Sequence, residues 1–310
     1  MNIDVETVVT EALLVPTVHN TQPTLWTFDR DGLILTLDPP RRLTVGDPEG
    51  RDAAVSLGAA LRGTEIALSR QGIGCAIERN GTTVRLAFRG EASPAWPIGV
   101  VKARRTWRGG FLAGIGRPPR RDDAAVVEDA AEIGWLADLN DRVSLDVLRD
   151  PAFRDELRSW MRLSRRHPEW SRDGLNAEAL DMGRVESMAA GVVLRRRVFE
   201  VFDRMGLGRA VTGEAGKTRS SQAVIGFHRP EGEDPVDSGR AFLDLWLECA
   251  EGGLAAWPMA ALADVPEARA EVSRRIGIPG GRRLMTMLRV GPAPMGPPKA
   301  RLPVGEVLRR

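Results

Sequence analysis

Tyrosine is absent from this 310-residue chain, and lysine and histidine are almost absent, with three of each. No phenol can therefore act as general acid or nucleophile. A multi-histidine metal centre would need His19, His167 and His228 all together. Only Lys102, Lys217 and Lys299 are lysines, which leaves 41 of the 44 basic residues as arginine. Wherever function needs positive charge, it must come mainly from the side chain suited to bidentate phosphate and carboxylate contacts. Two cysteines, Cys75 and Cys249, are too few for a disulfide scaffold and have no nucleophile context, so they read as core residues in a reducing setting. No apolar run reaches the ~18 residues of a membrane-spanning helix. The acidic start MNIDVETVV has no basic leader pattern. A cytoplasmic location with no membrane partner is the expectation. HExxH, P-loop, GxGxxG and CxxC patterns are also missing.

What is present describes an ordinary globular chain, 43% apolar and 28% charged, with a formal net charge of +2. Arginines are balanced by nearby acids, so no nucleic-acid partner is expected. The length suits two domains or one large one. Apolar spacing predicts helices over 4–15, 51–70, 122–139, 150–164, 184–206, 237–251 and 266–276. Asp31-Gly32 and Asn80-Gly81 predict hairpins joining 24–28 to 33–37 and 73–79 to 83–89. Strands are also expected at 221–228 and 282–291. The segment 90–99 reads as a linker, and 152–185 as a long polar excursion or lid. Long helices around a few strands, without βαβ alternation, give an α+β fold class.

Three segments carry chemistry. Pro16-Thr17-Val18-His19-Asn20-Thr21-Gln22-Pro23 offers amides and turn-exposed N–H groups able to read a heteroaromatic edge, or else a capped turn. Arg104-Arg105-Thr106-Trp107-Arg108 makes a natural phosphate clamp, or else a solvated basic face. Lys299-Ala300-Arg301 places a rare lysine two residues from an arginine in a proline-stiffened tail. Asp122-Asp123 reads as a helix N-terminus, and His167 and His228 as surface or capping groups.

Together these segments resemble the flavin-dependent nitroreductase superfamily, in particular its long single-chain branch typified by mycobacterial dormancy-associated nitroreductases. VPTVHNTQP is similar to A-P-S-x-H-N-x-Q-P-W. DPEGRDAAVSLGAAL is similar to D-x-x-G-R-E-A-x-x-x-x-G-A-A-L, and ARRTWRGGF to R-R-T-x-R-x-x-F. GLAAWPMAALAD, LRVGPAP and KARLPVGEVL match later segments of that branch in order. The resemblance runs from about residue 5 to 308.

The resemblance implies a nitroreductase-like fold built as a tandem pseudo-dimer. The first half would be 1–99, with the ring-facing loop 16–23. The second would be 100–310, with the phosphate clamp, the lid-like excursion and the C-terminal tail. Each motif occurs once, so a monomer with one FMN site is expected. By the same resemblance, Arg104, Arg105, Thr106 and Arg108 would hold the phosphate and ribityl chain, and Lys299 and Arg301 would complete that site. Pro16, Thr17, Val18, Asn20 and Gln22 would line the ring. Met259 and Ala260, after Pro258, would offer a backbone N–H to flavin N5. His19 is a weak general-acid candidate. Where the family has Trp after Gln-Pro, Thr24 stands here, and Trp26 is the candidate replacement on the same strand face. The implied activity passes electrons from NAD(P)H to a small acceptor such as a nitroaromatic or quinone. The alternatives are an FMN-sequestering protein with a closed lid and a flavin-dependent dehydrogenase or oxidase of specialised biosynthesis.

Overall fold

The computed structural model describes residues 3–209 and 213–310. In chain order its elements are α1 (Val5–Ala12), β1 (Thr24–Asp29), β2 (Gly32–Leu37), α2 (Arg51–Arg70), β3 (Ile73–Asn80), β4 (Thr83–Glu91), α3 (Ile98–Ala103), β5 (Ala124–Val127), α4 (Ala130–Leu148), α5 (Pro151–Ser159), β6 (Met161–Arg162), β7 (Leu175–Asn176), α6 (Arg184–Val193), α7 (Arg196–Arg204), α8 (Ala215–Arg219), β8 (Ala223–Pro230), α9 (Pro235–Glu251), β9 (Ala255–Pro258), α10 (Ala261–Asp264), α11 (Pro266–Arg275), β10 (Arg282–Gly291), α12 (Val304–Val307) and β11 (Leu308–Arg309). The class is mixed α+β.

Two larger sheets organise the chain. One has the order β11-β1-β2-β4-β3, the other β5-β8-β10-β9. Pairing within them is antiparallel except where β11 joins β1 in parallel, through Trp26↔Leu308. The tail thereby returns to the N-terminal sheet. Both expected hairpins form. Gly81 sits at φ 58, the left-handed conformation that a tight hairpin turn requires and glycine adopts without strain.

The small residues of α2 have a packing role. Gly58 and Gly239 face each other where α2 crosses α9. A Cβ on Gly58 would lie 2.0 Å from the Val236 carbonyl oxygen, and one on Gly239 would lie 2.1 Å from that of Val55. Neither position admits a larger side chain at this backbone separation. The core around α1 and α2 also takes Val101, Val236, Leu243, Leu247, Leu302 and Val307. Residues from before and after the 90–99 segment therefore share one apolar interior.

Several local expectations need correction. Residues 124–127 form strand β5, paired to β8, rather than the start of a helix. The helix begins at Ala130, because the Asp129 side chain accepts from the Ala131 and Glu132 N–H groups and caps it there. Asp123 is thus no helix terminus but a buried carboxylate between Arg121 and Arg229. The helix expected over 184–206 is two helices, because Arg195 adopts an extended backbone at ψ 138. That break turns Phe199 inward beneath the Arg154 guanidinium, 4.3 Å from the ring centre. His228 is buried on β8, whereas His167 does cap a turn, accepting from the Glu169 N–H at 3.1 Å.

Candidate functional site

Loop 16–23 follows α1 and holds three non-glycine residues in the left-handed region: His19 (φ 43), Asn20 (φ 53) and Gln22 (φ 51). Such a run is costly and persists only where surrounding bonds over-determine it. Those bonds are present. Gln22 N–H donates to Thr17 Oγ1 at 3.1 Å, and Val18 N–H donates to Ser56 Oγ on α2 at 3.2 Å. The two amide side chains are used as ties. Asn20 Nδ2 donates to the carbonyls of Gly174 (3.2 Å) and Ala300 (3.3 Å), while its Oδ1 accepts from Arg301 Nη1 (3.0 Å). Gln22 Nε2 donates to the Arg172 carbonyl (2.8 Å), and its Oε1 accepts from the Leu302 N–H (2.9 Å). These bonds stitch together the loop, the excursion at 172–174 and the C-terminal tail. Asp173 reinforces the seam by accepting from Arg162 and from Arg41, which also donates to the Thr21 carbonyl.

The arginine motif leaves α3 and runs beside β9. Trp107 N–H donates to the Ala256 carbonyl at 3.0 Å. Arg104 is buried, with its guanidinium 4.9 Å from the Trp246 ring centre and Nη2 donating to the Leu14 carbonyl at 2.9 Å. Its Nε and Nη1 are buried and have no hydrogen-bond partner. Arg301 donates to the carbonyls of Leu13, Leu14 and Val15 at the end of α1, where the helix dipole favours a cation. Lys299 Nζ donates to the Lys102 carbonyl at 2.9 Å, and Arg105 Nη2 to the Ala293 carbonyl at 2.5 Å.

The electrostatics of this cluster are one-sided. Burial lowers Arg104 to about 9, helped by the charge of Arg301. Burial alone lowers Arg301 to about 10. Lys299 falls to about 6, through burial and then the charges of Arg104, Arg301 and Arg105. Among the described residues, no carboxylate is ion-paired to Arg104, Arg105, Lys299 or Arg301. Arg108 stands slightly apart, 5.6 Å from the Trp257 ring centre; burial lowers it, opposed by the charge of Glu214. His19 is held neutral, at about 4, by burial and then by the charge of Arg108. The loop and the arginine motif, far apart along the chain, thus meet electrostatically through His19 and Arg108.

Other expected site residues are dispersed around this centre. Thr106 is exposed beside β9, and Pro16, Thr17 and Val18 are half-buried. Met259 is buried, and its N–H is committed to the Met287 carbonyl at 2.7 Å. Ala260 is exposed at the head of α10. Trp26 does not wall a pocket. It is buried in the core, donating from Nε1 to Thr64 Oγ1 at 2.9 Å.

Two features escape a reading of the sequence. Arg289, wholly buried in β10, lies 4.2 Å from the Trp257 ring centre and pairs with Glu214 at 3.1 Å. An arginine between Leu288 and Val290 in an apolar strand is its available signal. Asp52 and Asp264 form the other. Burial raises both carboxyls, and the charges of Asp264 and Asp47 raise Asp52 further, despite Arg51 and Arg283. Nothing in the sequence brings positions 52 and 264 together. Among the described residues no acidic, histidine or cysteine cluster could hold a metal ion, and no helix is long and apolar enough to cross a membrane.

No family model matches the chain. A segment of 68 residues is 40% identical to provisionally named NAD(P)H nitroreductases from two strains of Mycobacterium tuberculosis. The match covers 22% of this chain and spans only 20% of the length of those relatives. Over that segment the chain is similar to those two proteins, and it spans about a fifth of their length. Among solved structures, a Bacteroides fragilis nitroreductase with bound FMN overlaps 64% of this chain and 88% of its own at 12% identity, with a TM-score of 0.32. An FMN and NADPH-dependent nitroreductase of Sphigopyxis sp. strain HMH overlaps 63% and 87% at 18% identity, with a TM-score of 0.33. Overlaps this loose carry no argument about this chain.

Proposed function

We propose that the chain binds one FMN and acts as a nitroreductase-fold oxidoreductase, taking electrons from NAD(P)H for a small acceptor such as a nitroaromatic or quinone. The observation that carries the reading is the cluster of Arg104, Arg105, Lys299 and Arg301. Two guanidinium nitrogens of Arg104 are buried without partners. Burial and neighbouring cations depress Lys299, and among the described residues no carboxylate is ion-paired to it. A buried group of like charges is costly unless an anion completes it. A phosphomonoester has the charge and the acceptor oxygens that the cluster lacks.

FMN, when bound, would supply the two-electron redox chemistry, so no protein nucleophile is needed. The protein's own residues do the rest. Arg104 and Arg301 hold the phosphate, and Arg105 and Arg108 flank it. Lys299 regains its proton at Nζ beside the dianion. Asn20 and Gln22 position the loop rather than touch the ring, because their amides are spent on the excursion and tail. Ala260 offers a backbone N–H to the ring system. The reading takes the chain as a tandem pseudo-dimer, and the close crossing of the long helices α2 and α9 at Gly58 and Gly239 is compatible with it. Anaerobic titration with NADPH tests the activity. Bleaching of the bound flavin followed by repeated turnover with an acceptor is expected.

One observation favours a second reading, a flavin-sequestering protein. Residues 171–174 are bonded to both the loop and the tail, through Gln22, Asn20 and the Arg301 N–H to the Ser171 carbonyl (3.2 Å). Under that reading the flavin binds but NADPH leaves it oxidised.

A further inference from the structure

Helices α6 and α7 leave an apolar crest uncovered. Val185, Met188 and Val192 are 80%, 75% and 47% exposed, and at ~100° per residue they fall within a ~60° arc of α6. On and just after α7, Val201, Met205 and Leu207 are likewise 51%, 66% and 43% exposed. The opposite side of the pair is anchored. Ser187, Leu194 and Phe199 are buried, and Asp203 accepts from Arg149 at 2.9 Å. The apolar residues therefore face outward on two consecutive helices anchored through Ser187, Leu194, Phe199 and Asp203.

The charge around the crest identifies its partner. Residues 184–209 contain Arg184, Arg195, Arg196, Arg197, Arg204 and Arg209 against Glu186, Glu200 and Asp203, a net +3. The whole chain carries +2, so the remainder is −1. On α7, Arg197 and Arg204 flank Val201 on one face, and all three are exposed. Of the two acids on α7, Glu200 lies 3.5 Å from Arg196 and Asp203 is turned to Arg149. Protruding aliphatic side chains rimmed by arginine are what an interfacial helix presents to a negatively charged bilayer surface.

We propose that the consecutive helices α6 and α7 form a docking surface for anionic lipid headgroups, with Val185, Met188, Val201 and Met205 entering the headgroup boundary. The expectation of no membrane partner rests on spanning runs and does not bear on surface contact. The segment leading into α6 lies beside Gly109, directly after the arginine motif. Asp181 pairs with Lys217 at 3.6 Å, and a Cβ on Gly109 would meet the Asp181 carboxylate at 2.8 Å.

Co-sedimentation of the full chain with phosphatidylcholine vesicles, with and without phosphatidylglycerol, tests this without any flavin readout. Binding is expected only to the anionic vesicles and is expected to weaken with salt. Met188→Asp with Met205→Asp should weaken it at least about tenfold. Arg197→Gln with Arg204→Gln should cost roughly fivefold per arginine. Both pairs should leave the melting temperature unchanged. Absent or charge-independent vesicle binding overturns the proposal. So does a self-associating chain that the methionine pair renders monomeric, because a second copy would then cover the crest.

Discussion

Two arginine-rich regions of this molecule solve the same problem differently. Around β5 and β8, Arg121 and Arg229 share Asp123, with distances of 2.7–2.9 Å, while Glu248 and Glu233 take their remaining nitrogens. Arg121 is accordingly raised, chiefly by its bond to Asp123, and Arg229 chiefly by its bond to Glu233. Burial pushes the Asp123 carboxyl up, but Arg121 and Arg229 pull it below its ordinary value. Around the tail, burial lowers Arg104, Arg301 and Lys299 alike, neighbouring cations lower Arg104 and Lys299 further, and among the described residues no carboxylate is ion-paired to any of the three. The first region is internally ion-paired, whereas the second has no ion-paired carboxylate among the described residues. In a chain with 41 arginines, charge balance distinguishes them where composition cannot.

The largest expected effect breaks the comparison at the unpaired side. Arg104→Ala should reduce FMN affinity at least about a hundredfold, measured by flavin fluorescence quenching. Arg229→Ala should leave that affinity unchanged and instead cost about 1–2 kcal/mol of stability by denaturant titration, after discounting for partial exposure. Equal effects of the two on FMN would erase the distinction.

Next is Lys299. Its folded pKa lies below the unfolded value, so it destabilises the flavin-free fold increasingly as pH falls from about 10.5 to about 6. Lys299→Met should raise the flavin-free melting temperature at pH 7, by roughly 2–5 °C, while weakening FMN roughly tenfold. Opposite signs for stability and affinity are the signature sought. A merely structural lysine would lose both or neither.

The smallest effect concerns Asp52. Its folded pKa is raised to about 7, so its stabilising contribution is complete below about pH 4 and is lost as pH rises through 7. Asp52→Asn should therefore stabilise the protein slightly at pH 8 and not at pH 4, in thermal melts at the two pH values. A pH-independent change would show that its charge is not the cause.

Local signals in the sequence are readable where a few adjacent residues decide the outcome. Asn80-Gly81 sets a hairpin, and 282–291 emerges as β10 with the expected limits. Ala124–Val127 reads as helix because the strand that pairs with it, β8, lies about a hundred positions away, while the Asp129 cap acts only on the residues after it. The site shows the same division. The loop 16–23, the arginine motif 104–108 and the tail are legible as motifs. That Asn20 and Gln22 spend their amides on Gly174, Arg172 and Leu302 is not, because those partners lie 150 or more positions away. Nor does any local pattern announce that Arg289 shares the Trp257 ring with Arg108.

The central claim is that the cation cluster is completed by one FMN per chain. Titrating the purified, flavin-free protein with FMN while following fluorescence and absorbance tests it most directly. The account predicts saturation at one FMN per chain, competed by inorganic phosphate and weakened at least about a hundredfold with Arg104→Ala. A protein that stays colourless after incubation with FMN would contradict it.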